Sequence, residues 1–425
     1  MSSQKAKEKF AQIYQRLPES VEFCPYRVCP IGAHVDHNLG KVTGLAIDKG
    51  IHLAYSPKQN GVIELCSLQF GKRAQWHVMM TPQRKQGDWA DYLRGVTLML
   101  ANRYPLAKGL VGVIDGDLPI GGLSSSAAVT LAFMEAICDV NGIRLTGPEK
   151  VALSVAVENE YVGVSCGKLD QSCEIYSRKN QLLYLDTLDD SYELIPFGGG
   201  SCEDKVAQNA EAAAATGQTP AAATVARNAV ASDLPFDIAI FFSGVERNLA
   251  GSKFNQRVDE ARSAAYALKA YAGMEYGKFK DTSLREVPYE VFQQYRDRLP
   301  DNWRKRADHW YSEQERVREG VEAWRRGDIA AYGRLSFASG QSSITSWETG
   351  SPELKTLYEL MTRTEGIYGG RFSGAGFKGC CVALIDPAKA DEIVANVTLG
   401  YLKAFPDLEG KYRACICGST DGLMV

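Results

Sequence analysis

Apolar and polar positions follow two rhythms along this chain. Residues 44 to 70 and 110 to 118 carry β-branched side chains between glycines and predict strands; QLLYLDT (181–187), FDIAIFFSG (236–244), CCVALID (380–386) and RACICGS (413–419) add short strands. SSAAVTLAFMEAICDVN, residues 125 to 141, predicts an apolar helix that opens on serines, and residues 147 to 162 predict a second helix. From 282 to 344 helical patterns dominate, and the charges of DNWRKRADHWYSEQERVREGVEAWRRGD are most simply a solvated face. Strands and helices alternate without a strict βαβ rhythm, which predicts an α+β architecture.

One stretch breaks the pattern. KVAQNAEAAAATGQTPAAATVARNAVA is rich in alanine with glycine, threonine and proline, and reads as a surface insertion or linker over about 207 to 232. At 425 residues the chain exceeds one ordinary core, so the expected division is residues 1–200, a connecting 201–234, and 235–425.

Charge and cysteine usage narrow the function. With 48 basic against 51 acidic residues and no dense basic block, nucleic acid is not an expected partner. The N-terminus is a charged helical pattern rather than a signal peptide, and nowhere do about 18 uncharged apolar residues run together; a cytoplasmic protein without membrane contact is expected. The eleven cysteines are scattered, with no Cys-x-x-Cys pair, as reduced buried thiols would be.

Several short motifs carry chemistry. GAGFKG, Gly374 to Gly379, has the spacing of a dinucleotide fingerprint, but a strand-like segment follows it where that fingerprint needs a helix. Its glycines still imply close backbone approach, to a ligand or to another strand. GVSCGKLD (163–170) lacks the Walker A spacing, and His-Arg-Asp and Asp-Phe-Gly are absent. PIGGLSSSAA (119–128) joins a glycine pair to three serines and a helix start, where free amides and the helix dipole favour a polyphosphate; an ordinary N-cap by Ser124 or Ser125 would need only one hydroxyl. In PYRVCPIGAHVDHNLG (25–40), His34 and His37 lack further metal ligands nearby, whereas Arg27, His34 and Asp36 suit a polyol.

Taken together and in this order, PYRVCPIGAHVDHNLG, PIGGLSSSAA and RFSGAGFKGCCVAL resemble the three motifs of the GHMP kinases, the family of galactokinase, homoserine kinase, mevalonate kinase and phosphomevalonate kinase. The likeness to galactokinases continues through DWADYLRGV, ENEYVGVSCGKLDQ, FSGVERNLAGSKFNQRV and ASGQSSITSWETGSPEL. It implies an N-terminal domain around a mixed sheet, a C-terminal ferredoxin-like domain, and an active site in the cleft between. It also implies ATP, Mg²⁺, and phosphoryl transfer to the anomeric hydroxyl of a sugar.

The resemblance assigns roles by position. Asp170 falls on the carboxylate beside the sugar's C1 hydroxyl, and Arg27 on the cation that offsets charge in the transition state. Ser126 and Glu158 match the magnesium ligands. Gly121, Gly122, Leu123, Ser124, Ser125, Gly374 and Gly376 match the nucleotide-binding loops, and Trp89 a neighbour of adenine. Ala33, His34, Asp36, Gly167 and Phe254 fall around the sugar, Phe254 where the family often has tyrosine. Galactokinases carry glutamate at the position of Ala33; its absence removes a charge that would repel a carboxylate at C6. Gly-Ala-His-x-Asp-His, Cys380-Cys381 and KRADHWYSEQERV resemble galacturonokinases more than galactokinases. The expected substrate is therefore D-galacturonate, with galactose or an arabinose-type neutral sugar as the alternative and a non-catalytic sugar and ATP sensor as a second. Lys168, Lys253, Arg247 and Arg257 are the candidate cations for the sugar's carboxylate.

Overall fold

The computed structural model describes residues 2–199, 234–245 and 251–424. The Ala-rich 207–232 segment and Arg247 lie outside the described residues. β1 (Ser20–Val28), β2 (Lys41–Lys58), β3 (Val62–Ser67), β4 (Lys72–His77), β5 (Gly109–Gly116), β6 (Gln181–Asp186) and β7 (Tyr192–Pro196) form one sheet in the order β4-β3-β5-β2-β6-β7, with β1 antiparallel on β2. The β3–β5 pair is parallel and its neighbours antiparallel, so the sheet is mixed.

β2 runs unbroken past its glycines because other groups need their space. A Cβ at Gly50 would lie 2.1 Å from the Cys24 carbonyl oxygen, where the β1–β2 register shifts, and one at Gly44 would lie 2.8 Å from Cys173 Sγ. The Ser125–Asn141 helix lies against this sheet and matches its expected span. Leu131, Phe133, Met134 and Ile137 on it are all at 0% exposure, and burying each contributes about 1.5–3 kcal/mol.

β8 (Asp237–Phe242), β9 (Ile367–Phe372), β10 (Cys380–Ile385) and β11 (Arg413–Cys417) form a separate antiparallel sheet in the order β11-β8-β10-β9. The Pro352–Arg363 and Ala390–Ala404 helices pack on it. In chain order this unit is β-α-β-β-α-β, the ferredoxin-like connection. No helix among the described residues is long and apolar enough to cross a membrane.

Two expectations need correction. The predicted 147–162 helix is α-helical only over Gly147–Ala156, then widens to a π-helical turn over Val157–Val162, with the Gly163 amide donating to the Glu158 carbonyl at 2.8 Å. That turn carries Glu158 into the cleft described below. The charges of the Asp301–Arg325 helix are not all solvated: Arg306, His309 and Glu313 are at 0% exposure. They share the 3.6-residue stripe of Trp310, Val317, Val321 and Trp324, so their spacing marked them as inward-facing.

Candidate active site

The loop between β1 and β2 needs unusual backbone. Gly32 has φ +101°, and a Cβ there would meet Val42 Cα at 2.8 Å; His34 takes φ 62° and Leu39 φ 57°. One helix holds this loop. From Asp301–Arg325, Glu313 accepts from the Gly32 amide (2.7 Å), His309 Nε2 pairs with the Ala33 carbonyl (3.0 Å), and Gln314 bonds both backbone groups of Lys41 (2.8 and 3.0 Å). Glu313 also accepts from Ser339 (2.5 Å) and Arg316 (2.6 Å) and lies 3.6 Å from Arg371. Burial alone would raise its pKa, but Arg316, His309 and Arg371 outweigh it and hold it at about 2. Burial also leaves His34 neutral, well below the usual histidine range, with Arg371 and His309 adding to the effect.

Asp170 sits in the first turn of the Leu169–Tyr176 helix. Arg27 Nε donates to its Oδ1 at 2.6 Å, and the Ser124 hydroxyl donates to Oδ2. Arg27 Nη1 reaches the Gly122 carbonyl at 3.3 Å, which ties the end of β1 to the serine-rich loop. Burial disfavours the Arg27 charge, but Asp170 more than compensates and the guanidinium pKa lies above its ordinary value. Asp36 accepts from the Leu169 amide (3.3 Å), and a Cβ at Gly167 would lie 2.3 Å from Asp36 Oδ2, so only glycine fits there. Burial opposes the charge of Asp36, but His37 and these backbone bonds lower its pKa overall.

Ser124 precedes the Ser125–Asn141 helix with φ 63° and makes no side-chain cap. Its hydroxyl is spent on Asp170 instead, which leaves the first amides of a long helix facing the cleft. The GAGFKG glycines meet this loop backbone to backbone. A Cβ at Gly374 would lie 3.0 Å from Gly122 Cα, and one at Gly379 2.8 Å from the Gly121 carbonyl carbon. Close approach to a strand-to-helix loop, rather than a dinucleotide turn, accounts for that spacing.

These elements border a cleft of about 480 Å³. Of the residues singled out from the sequence, Arg27, Ala33, His34, Asp36, Trp89, Gly122, Ser124, Ser125, Ser126, Glu158, Gly167, Asp170, Phe254 and Gly374 line it. Gly121 and Gly376 stand back from the lining, Gly376 against Thr349, and the Leu123 side chain packs in the core. Trp89 lies nearly parallel to Phe70, ring centroids 6.1 Å apart, at one end of the cleft. Ser126 and Glu158 supply two hard oxygen groups in the same space, a set that suits an ion retaining water and phosphate oxygens. Of the candidate cations, Lys168 is paired with Asp190 (2.6 Å) and Arg257 with Glu260 (3.2 Å), while Lys253 lines an adjoining pocket with Arg257 and Glu348. Sequence reasoning missed Glu313, His309, Arg371 and Trp347, all far in sequence from the loop they support.

Comparison with known proteins shows the family and the fold. Residues 91–178 match the GHMP kinases N terminal domain, 321–401 the GHMP kinases C terminal domain, and 8–57 the galactokinase galactose-binding signature. A galacturonokinase of Arabidopsis thaliana is 32% identical over 99% of this chain and 97% of its own length. A galactokinase of Chloroflexus aggregans is 30% identical over 92% and 90%. The crystal structure of Lactococcus lactis galactokinase complexed with galactose superposes with a TM-score of 0.81 at 26% identity, covering 98% of this chain and 97% of that one. A mevalonate kinase, at 16% identity and TM-score 0.60, shares the fold.

Proposed function

This chain belongs to the GHMP kinase family as an ATP-dependent sugar kinase of the galactokinase-like branch, and from that premise we propose that it phosphorylates D-galacturonate at its anomeric oxygen. The observation that carries the choice of sugar is Ala33. It lines the cleft at 8% exposure, with its carbonyl taken by His309, so its place offers a uronic acid room and no negative charge. The galacturonokinase relative from Arabidopsis thaliana supports the same choice.

In this reading the sugar's C1 hydroxyl approaches Asp170, its oxygen attacks the γ-phosphorus, and the bond to the ADP oxygen breaks while the proton passes to Asp170. Asp170 has one oxygen on Arg27 and the other on Ser124, so its position is set before substrate arrives. Arg27, tied to both Asp170 and Gly122, places a fixed positive charge between acceptor and phosphates. The helix-start amides after Ser124 cradle the phosphates, and Trp89 with Phe70 offers an apolar face to adenine. Ser126 and Glu158 would hold Mg²⁺, which supplies charge neutralisation on the phosphates when bound. In this reading 1–200 and 235–425 are the two domains, a division supported by the separate sheet in each, and the reaction lies between them.

A panel of sugars tests the proposal. The kcat/KM for D-galacturonate is expected to exceed those for D-galactose and L-arabinose; a value for galactose equal to or above that for galacturonate refutes it and restores the neutral-sugar alternative.

A further inference from the structure

Among the described residues, the candidate cations Lys168 and Arg257 do not border the cleft at Ala33 and already face carboxylates, and Lys253 lines the adjoining pocket. Around Ala33 lies instead a layer of nitrogen-bearing rings. His34 lies flat on Trp347, centroids 5.3 Å apart with 7° between planes. His37 tilts against the same indole at 5.3 Å and meets Phe254 edge-on at 6.0 Å. His309 closes the layer 5.4 Å from the indole, with both its nitrogens engaged, one on Ser342 (2.8 Å) and one on the Ala33 carbonyl (3.0 Å).

His34 Nε2 and Trp347 Nε1 are buried without a hydrogen-bond partner, whereas His37 faces the Asp36 carboxylate, 3.8 Å from its Nδ1. His34 is 7% exposed, Trp347 1%, and the His37 side chain 1%. An unmet buried donor costs about 1–3 kcal/mol, so such a set in one packed layer marks a place where an acceptor is missing. Indole only donates, and a neutral imidazole can turn its single proton inward. A carboxylate, which brings about four acceptor sites and no donor, is the ligand group that meets the N–H groups of both His34 and Trp347. The flanking arginines are already spent on carboxylates: Arg306 stands 5.9 Å from the Trp347 ring and is paired with Glu260 and Glu348, and Arg371 is paired with Glu313.

We infer that the ring N–H groups of His34 and Trp347 receive the C6 carboxylate of the uronic acid, in a specificity pocket that Ala33 leaves open and Phe254 covers from the cleft side. Phe254 is partly buried, and its turning away from the edge of His37 admits the carboxylate. The inference rests on the galacturonate reading above.

Two measurements test it. The wild-type protein is assayed with D-galacturonate and with its C6 amide, which has the same shape but presents a donor to donors. The amide is expected to lose about 10- to 100-fold in kcat/KM, the range for a hydrogen bond to a charged group. Trp347→Phe, which keeps a ring and deletes the N–H, is expected to raise KM for galacturonate about 10-fold while leaving kcat/KM for galactose within about threefold. Amide equal to acid, or a folded Trp347→Phe that weakens both sugars alike, overturns the inference; if that variant does not fold, the amide comparison decides alone. A wild-type protein that prefers galactose overturns the substrate reading and this inference with it, whereas preference for the acid with parity for the amide overturns this inference only.

Discussion

Ala33→Glu puts a carboxylate at a cleft-lining position that is 8% exposed, beside an imidazole that burial keeps neutral. The sugar's own carboxylate would then lie within about 4 Å of it, and two unit charges at that distance in a medium of effective dielectric ~20 repel by about 4 kcal/mol. Water drawn into the cleft screens part of this, so a range of about 2–4 kcal/mol is expected, or roughly 30- to 700-fold in kcat/KM for galacturonate. Galactose carries no charge at C6 and meets a new acceptor there, so its kcat/KM should hold or rise. Ala33→Gln adds nearly the same volume without the charge and separates the two effects. Initial rates read by coupling ADP release to NADH oxidation, with both sugars at saturating ATP and magnesium, measure each term. The reasoning fails if Ala33→Glu and Ala33→Gln depress galacturonate turnover equally, or if Ala33→Glu lowers both sugars by one factor.

Asp170→Asn should lower kcat about 10²- to 10⁴-fold with ATP binding retained in a fluorescence titration, and near-native turnover would refute the base assignment. Gly374→Ala forces a side chain into φ +67° and to 3.0 Å from Gly122 Cα, so KM for ATP should rise for every sugar in steady-state kinetics; an unchanged KM would show that the two loops tolerate separation. Stability should begin to fall as pH drops below about 6.5. His34 and His309 are held neutral in the fold, His309 with its pKa lowered to about 4 by burial, so the unfolded chain takes up protons first and gains from each. For His309 the loss reaches about 3 kcal/mol below pH 4, at ~1.4 kcal/mol per pH unit, and Glu313 adds its own between about 4.5 and 2. Urea denaturation across this range should show a shallower slope for His309→Gln, and an identical slope would contradict the assignment.

The parts of the fold legible in the sequence were those written in local periodicity. The Ser125–Asn141 helix and β5, β6, β8, β10 and β11 stand where apolar spacing put them. β1 and β9 were not legible, because their strand character comes from pairing with β2 and β10 rather than from their own alternation. The π-helical turn at Glu158 was hidden for a related reason: one extra residue in a turn leaves no mark on a helical pattern.

The sequence alone determined which groups are available: a glycine-serine loop before a strong helix, a carboxylate at 170, an arginine at 27, and an alanine at 33. Those follow from residue chemistry and from backbone angles that only glycine adopts easily. Tertiary structure decided what each group is spent on. Ser124 bonds a carboxylate 46 positions away instead of capping its own helix, and Glu313 reaches back 281 positions to hold the amide of Gly32. Spacing puts Arg306, His309 and Glu313 on the inward stripe but could not name the partners that satisfy them there, since those come from elsewhere in the chain. The unpaired nitrogens of His34 and Trp347 belong to the same category, because a missing partner is visible only when all the neighbours are in place.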